Sequence, residues 1–298
     1  MSFTKRAVTS MGMLAVLAFL ATGCAPEPPL PTPSATTGSP TPAAVATPAP
    51  TPAEPPVRQD LIGLPQTELD TRLIASAWAN DVAEAQELIR AGANVNAKDA
   101  TVQSAYLVAT SEGYAELLDL TLANGADVTS LDSYNGTGLI RAAERGHAAV
   151  VGRLIQAGVS LDHVNFPGYV ALHEALIYAK PDQVEAYQDT VWVLVAAGSD
   201  LTIPTVGTGE TPVMLANRYG LSRQAQILTR AVDAPAAAAD APALLVQAAL
   251  TGDPDLAALA LRAGAPVNTT DATGKSVRSI AESGGHEVTA RLLANLGG

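Results

Sequence analysis

One cysteine, twelve aromatic residues (two Trp, seven Tyr, three Phe) and four histidines in 298 residues leave little material for several kinds of chemistry. Cys24 is alone, so no internal disulfide can form. One cysteine with scattered histidines makes no metal-ligand spacing, and no metal or other cofactor is expected. Bases are also scarce, 17 against 29 acids, for a net charge of −12. Nucleic acid and anionic lipid surfaces both require a basic footprint, so both are disfavoured as partners. The neighbours Asp162 and His163 could be read as an acid–base pair, yet no nucleophile is implied beside them. No catalytic residue is assigned and an enzyme is not expected. Apolar runs long enough for a membrane span are missing too: Met11–Leu20 falls short of the about 20 residues required.

What is present is a glycine ladder. Gly92, Gly125 and Gly158 are 33 residues apart, Gly198 and Gly264 are 66 apart, and the step from Gly158 to Gly198 is 33 plus seven. Around them the text repeats as AGANV, NGADV, AGVSL, AGSDL and AGAPV, and Gly113, Gly146 and Gly252 form a second ladder twelve residues upstream. Such a period marks supersecondary units that cannot bury an apolar face alone and must stack. In residues 132–164, DSYNGT reads as a turn and Leu139, Ala142 and Ala143 as a short helix ended by Gly146 and His147. Val150, Val151, Leu154 and Ile155 then carry a second helix, and Gly158 stops it. Alanines on the first helix permit close approach, while Leu154 and its neighbours fill the seam between units.

These units resemble the ankyrin repeat, whose 33-residue pattern contains Gly-x-Thr-Pro-Leu-His-x-Ala. One unit reads Gly209-Glu210-Thr211-Pro212-Val213-Met214-Leu215-Ala216, another Ala171-Leu172-His173-Glu174-Ala175, and a third Gly274-Lys275-Ser276. The resemblance covers roughly 67–298 and implies an all-α ankyrin solenoid of stacked helix-turn-helix units with short turn or hairpin fingers. Seven units are expected, starting near Thr67, Asp99, Asp132, Asn165, Val206, Ala238 and Asp271, with caps at both ends. The fourth carries about seven extra residues within KPDQVEAY, which are expected to lengthen its helix-to-helix turn. The Ala/Pro stretch at 231–242 is a candidate hinge, and the last unit reads as one residue out of register after Gly284, leaving Gly297 unmatched.

The front of the chain is different in kind. Lys5 and Arg6, the apolar run and Ala21-Thr22-Gly23-Cys24 describe a secretory signal over 1–23. The small residues before Cys24 are similar to a bacterial lipobox, with leucine one place earlier than usual at Leu20. That resemblance implies lipidation of Cys24, cleavage before it and export to a bacterial membrane, facing the periplasm or cell exterior. The alternative is an ordinary cleaved signal with an incidental cysteine. Removing Lys5 and Arg6 takes the net charge from −12 to −14. Residues 24–59, rich in Pro, Thr and Ala, form a disordered tether that leads to a repeat domain at 60–298. At about 3.1 Å per residue an extended tether of this length reaches on the order of 100 Å.

Function is then expected on the concave face that fingers and first-helix ends build in such arrays. Projected onto that face are Thr101, Gln103, Ser111 and Glu112; Ser133, Tyr134, Glu144 and Arg145; Phe166, Tyr169, Ile177 and Tyr178; and Glu210, Arg218 and Tyr219. Tyrosine and arginine dominate binding hot spots, so the partner-binding set is Tyr134, Glu144, Arg145, Phe166, Tyr169, Ile177, Tyr178, Arg218 and Tyr219. His147, His173 and His286 belong to the repeat framework, His163 lies in a finger beside Asp162, and Trp78 and Trp192 are read as core. The expected activity is non-catalytic binding of another cell-envelope protein by a monomer. Rival readings are an immunity-type or enzyme-supporting ankyrin protein, for instance one assisting a periplasmic catalase, and an envelope enzyme.

Overall fold

The computed structural model describes residues 56–234 and 237–298. The signal stretch, Cys24 and nearly all of the tether lie outside the described residues. Val57 already packs on the core and Leu61 is fully buried, so the ordered array begins slightly ahead of residue 60.

Among the described residues the chain is helical, with fourteen α-helices in seven pairs and only two isolated β-bridges in the fingers. The pairs are α1 (Gln66–Trp78) and α2 (Val82–Arg90), α3 (Ala105–Glu112) and α4 (Ala115–Ala123), α5 (Gly138–Glu144) and α6 (Ala148–Gln156). Next come α7 (Ala171–Ile177) and α8 (Val184–Ala196), then α9 (Pro212–Arg218) and α10 (Ser222–Asp233). The last two pairs are α11 (Ala241–Thr251) with α12 (Pro254–Arg262), and α13 (Val277–Ser283) with α14 (Glu287–Asn295). The stacked helix pairs that the period requires, and the all-α solenoid that the ankyrin resemblance implies, are therefore present.

Local chemistry explains the repetition. Ser104, Thr137, Thr211 and Ser276 cap the inner helices, each hydroxyl accepting the N–H three residues on. In the fourth unit Val170 lacks the hydroxyl, and the His173 ring takes the Val170 N–H instead. The upstream glycine ladder makes room for the next unit. A Cβ on Gly113 would sit 2.6 Å from the His147 ring, and one on Gly252 would strike His286. Those rings reach the Ser111 and Leu250 carbonyls, 36 residues back in both cases. The fourth unit has no such histidine, and the Tyr187 hydroxyl donates to the equivalent Glu144 carbonyl at 2.9 Å.

One expectation is extended and one corrected. The extra residues of the fourth unit do lengthen the helix-to-helix connection, which spans 178–183 with a 3-10 turn at Pro181–Gln183 against 145–147 in the third unit, and they also lengthen α8, which runs 13 residues against nine in α6. The last unit is in register, because Gly285 occupies the helix turn before His286 and Gly297 ends α14 with φ 89°. Gly284, by contrast, has helical backbone.

The stacking order changes after α10. Inner helices α1, α3, α5, α7 and α9 follow one another, as do their outer partners. The sixth and seventh units turn back, packing α12 on α8 and α14 on α6 and α8. The Trp192 indole donates to Asp255 at 2.7 Å, Arg291 grips Asp189 with two bonds, and Arg262 reaches the Val195 and Ser199 carbonyls. Gly152 of α6 lies so close to Asn295 that a Cβ there would collide with the Asn295 carbonyl oxygen. Outer helices thus meet back to back, and Trp192 is buried as expected.

Candidate functional site

The inner face of the first five units carries the exposed aromatics. Tyr134 is 63% exposed, Phe166 75%, Tyr178 48% and Tyr219 42%. Adjacent fingers are tied together, Phe166 N–H to the Tyr134 carbonyl and Val206 N–H to the Gly168 carbonyl, so the row is carried on connected backbone. Exposed rings clustered on one face mark an interaction surface more often than scattered ones do.

The other projected residues divide. Glu144 and Arg145 are half-buried; Arg145 pairs with Glu112 of the preceding unit at 2.7 Å, while Glu144 pairs with Arg141. Arg218 pairs with Glu210 and lies 5.2 Å from the Tyr219 ring centre, a cation–π pair separate from the central cleft. Thr101, Ser133 and Gln103 are at least partly accessible. Tyr169 and Ile177 are only partly accessible: Tyr169 meets His173 edge-on at 6.2 Å and Ile177 packs against the core. Ser111 is buried, because the next unit's His147 closes over its carbonyl.

Trp78 is the clearest reversal. It is 48% exposed, not core, and lines a groove of about 370 Å³ with Thr71, Ile74, Lys98 and Asp99. As the last residue of α1 it occupies the position that Glu144 holds in α5 and Arg218 in α9, each ending its inner helix. It belongs to the same face as the tyrosines, and its place two residues before the helix turn was the signal that could have shown this.

The projection missed Asp132, Arg141 and Glu174, which join the projected Tyr134, Glu144 and Tyr178 in lining one cleft of about 300 Å³ between the third and fourth fingers. Asp132 accepts the Tyr134 and Gly136 N–H groups and lies 3.4 Å from Arg141. Glu174 is only 5% exposed; Asn165 donates to its Oε1 at 2.7 Å, and its Oε2 has no hydrogen-bond partner. Burial pushes this carboxyl up to about 7, opposed by the Asn165 bond and raised further by Glu144.

The histidines are framework groups. Burial lowers His173 and His147, and His173 reaches the Ile203 carbonyl at 3.0 Å. His163 meets the Asn135 carbonyl while Asp162 accepts the Asp200 N–H, so these two neighbours point to different partners. Lys275 lies in a finger turn whose amide bonds Asp271.

Comparison with known proteins agrees with this architecture. A family model for ankyrin repeats (3 copies) matches residues 105–205. The Escherichia coli (strain K12) protein named Putative ankyrin repeat protein YahD is 30% identical over 147 residues, spanning 49% of this chain and 72% of that one. An ankyrin repeat domain from Acinetobacter baumannii AYE is 42% identical, with a TM-score of 0.50 over 53% of this chain and 80% of its own. The ankyrin repeat protein EF0377 is 33% identical, with a TM-score of 0.53 over 58% of this chain and 87% of its own. With its glycine ladders, capped inner helices and this kinship, the chain belongs to the ankyrin-repeat family.

Proposed function

We propose that the protein is a non-catalytic binding scaffold that holds another protein of the cell envelope on its inner face. The observation that carries this reading is the row of exposed rings, Tyr134, Phe166, Tyr178 and Tyr219, joined by Trp78 at the end of α1. Aromatic anchors give large contact area at low entropic cost and dominate interface energetics. In a pull-down from envelope extracts, Tyr134→Ala and Tyr178→Ala should each weaken capture of the retained partner by about 2 kcal/mol, roughly thirtyfold. Glu287→Ala, on the last unit, should leave capture unchanged. Full capture by both tyrosine variants, with circular dichroism preserved, would place the binding surface elsewhere.

The scaffold is proposed to be exported and displayed on a membrane by lipid at Cys24, with residues 24–59 as spacer. The support is the sequence Ala21-Thr22-Gly23-Cys24 and the use of a chain's sole cysteine at that point. Two acyl signals anchor stably where a single chain is marginal. Cys24→Ala should abolish labelling by a radioactive fatty acid and release the protein from the membrane fraction. Retained label in that variant would rule the anchor out.

A further inference from the structure

We propose that the cleft between the third and fourth fingers receives one arginine side chain of the partner, its guanidinium against the Glu174 carboxyl and between the Tyr134 and Tyr178 rings. This rests on the inner-face reading above and specifies what that face recognises.

Charge accounting within the cleft comes first. Three carboxyls line it, Asp132, Glu144 and Glu174, against one cation, Arg141. Arg141 is already engaged by Asp132 and Glu144. Glu174 is left with a neutral Asn165 donor on one oxygen and nothing on the other. Buried polar groups without partners are rare in folded proteins, and each calls for a reason.

The repeat supplies a second argument. Four residues beyond the helix cap stand Val108, Leu215 and Ile280 in the second, fifth and seventh units, but Arg141 and Glu174 in the third and fourth. The framework therefore asks for an apolar side chain at this position. Two neighbouring central units carry charge there instead, directly under the most exposed tyrosines.

The walls suit a guanidinium. Its planar fork offers five donors, matches a carboxylate edge, and stacks on aromatic faces. Tyr134 and Tyr178 line opposite units of the cleft, whose volume of about 300 Å³ stands at the small end of ligand pockets. A single long side chain is the size of group it admits.

The groups facing Glu174 set a pH dependence. Asp132 and Glu144 oppose its ionisation, Arg141 and the Asn165 amide favour it, and burial holds it near 7. Tyr178 also faces it, and His173, one residue earlier on α7, points away to the Ile203 carbonyl. An arriving cation favours the ionised carboxyl, so binding releases a proton and tightens as pH rises through about 7.

The test is a titration of the full chain with Nα-acetylarginine amide, and with the neutral isostere Nα-acetylcitrulline amide, followed by NMR of tyrosine ring protons and glutamate carboxyl carbons. Saturable shifts at Tyr134 and Tyr178 with a dissociation constant of about 1–10 mM, and movement of the Glu174 carboxyl to its ionised position, are expected for the arginine probe. Citrulline should bind at least about tenfold more weakly, and Glu174→Gln should lose about tenfold for arginine. Nα-acetyllysine amide should bind more weakly than arginine, since it lacks the planar fork. Equal binding of arginine and citrulline, no saturable shift, or a Glu174 carboxyl that does not respond would each overturn the proposal. None of those results touches partner capture through Tyr134 and Tyr178, which is measured separately, so the two readings fail independently.

Discussion

Replacing Gly152 with leucine is expected to drive the last two units off the outer helices of the third and fourth. A Cβ at Gly152 has no space beside the Asn295 carbonyl, and a backbone atom cannot swing aside as a side chain does. Overpacking of this kind typically costs about 1–3 kcal/mol, and a clash with main chain belongs at or above the top of that range. Trp192 reports the event. It is 2% exposed, held by Asp255 of α12, whereas Trp78 is already wet, so detachment should shift emission to the red through Trp192 alone. Thermal unfolding should then separate into two transitions, one for five units and one for two. Wild-type emission and a single unaltered transition in Gly152→Leu would contradict the back-to-back packing.

Leu154→Ala should be the most damaging truncation in the third unit. Leu154 is fully buried on α6, a helix that packs on α5, α8 and α14 at once. Removing a buried leucine side chain costs about 2–5 kcal/mol, a large share of the about 5–15 kcal/mol of a typical domain. Because each unit is stable only against its neighbours, the loss should spread along the array. The midpoint in urea should fall well below that of the wild type. An unchanged midpoint would mean that Leu154 does not lie in the seam.

The glycine period made the helix pairs legible because it is local: each glycine answers a backbone need or a close approach within one or two units. Gly113 and Gly252 make way for the next histidine, and the letters on both sides repeat accordingly. Side-chain exposure was harder. Trp78 reads as core because it sits among apolar neighbours such as Ile74 and Ala77, yet the helix ends there and the ring emerges on the inner face. Ser111 looked free for the converse reason, since what covers it arrives from the following unit. Glu174 and Arg141 were illegible because they stand four residues after the cap, inside short helices where a charge reads as solvated, and only the neighbouring finger turns their site into a cleft. The return of the last two units left almost no local trace. Its contacts join residues such as Gln156 and Asn295, 139 positions apart, and a glycine in the middle of α6 was the one hint in the letters.

That return also dictates an order of events as the chain is made. The first five units can stack as they emerge, since each needs only the one before it. The backs of α6 and α8 must wait for α12 and α14, which follow them much later in the chain. Until Asp255 of α12 meets Trp192 and Arg291 of α14 meets Asp189, 102 residues earlier, the outer surface of α8 stands uncovered. Closing so long an interval is slow relative to pairing neighbours, and surface left bare during it invites association with other chains. A repeat array that grows from one end is thereby given a late step that joins distant units, and the loss of α14 alone would leave the two faces it covers, on α6 and α8, without their partner.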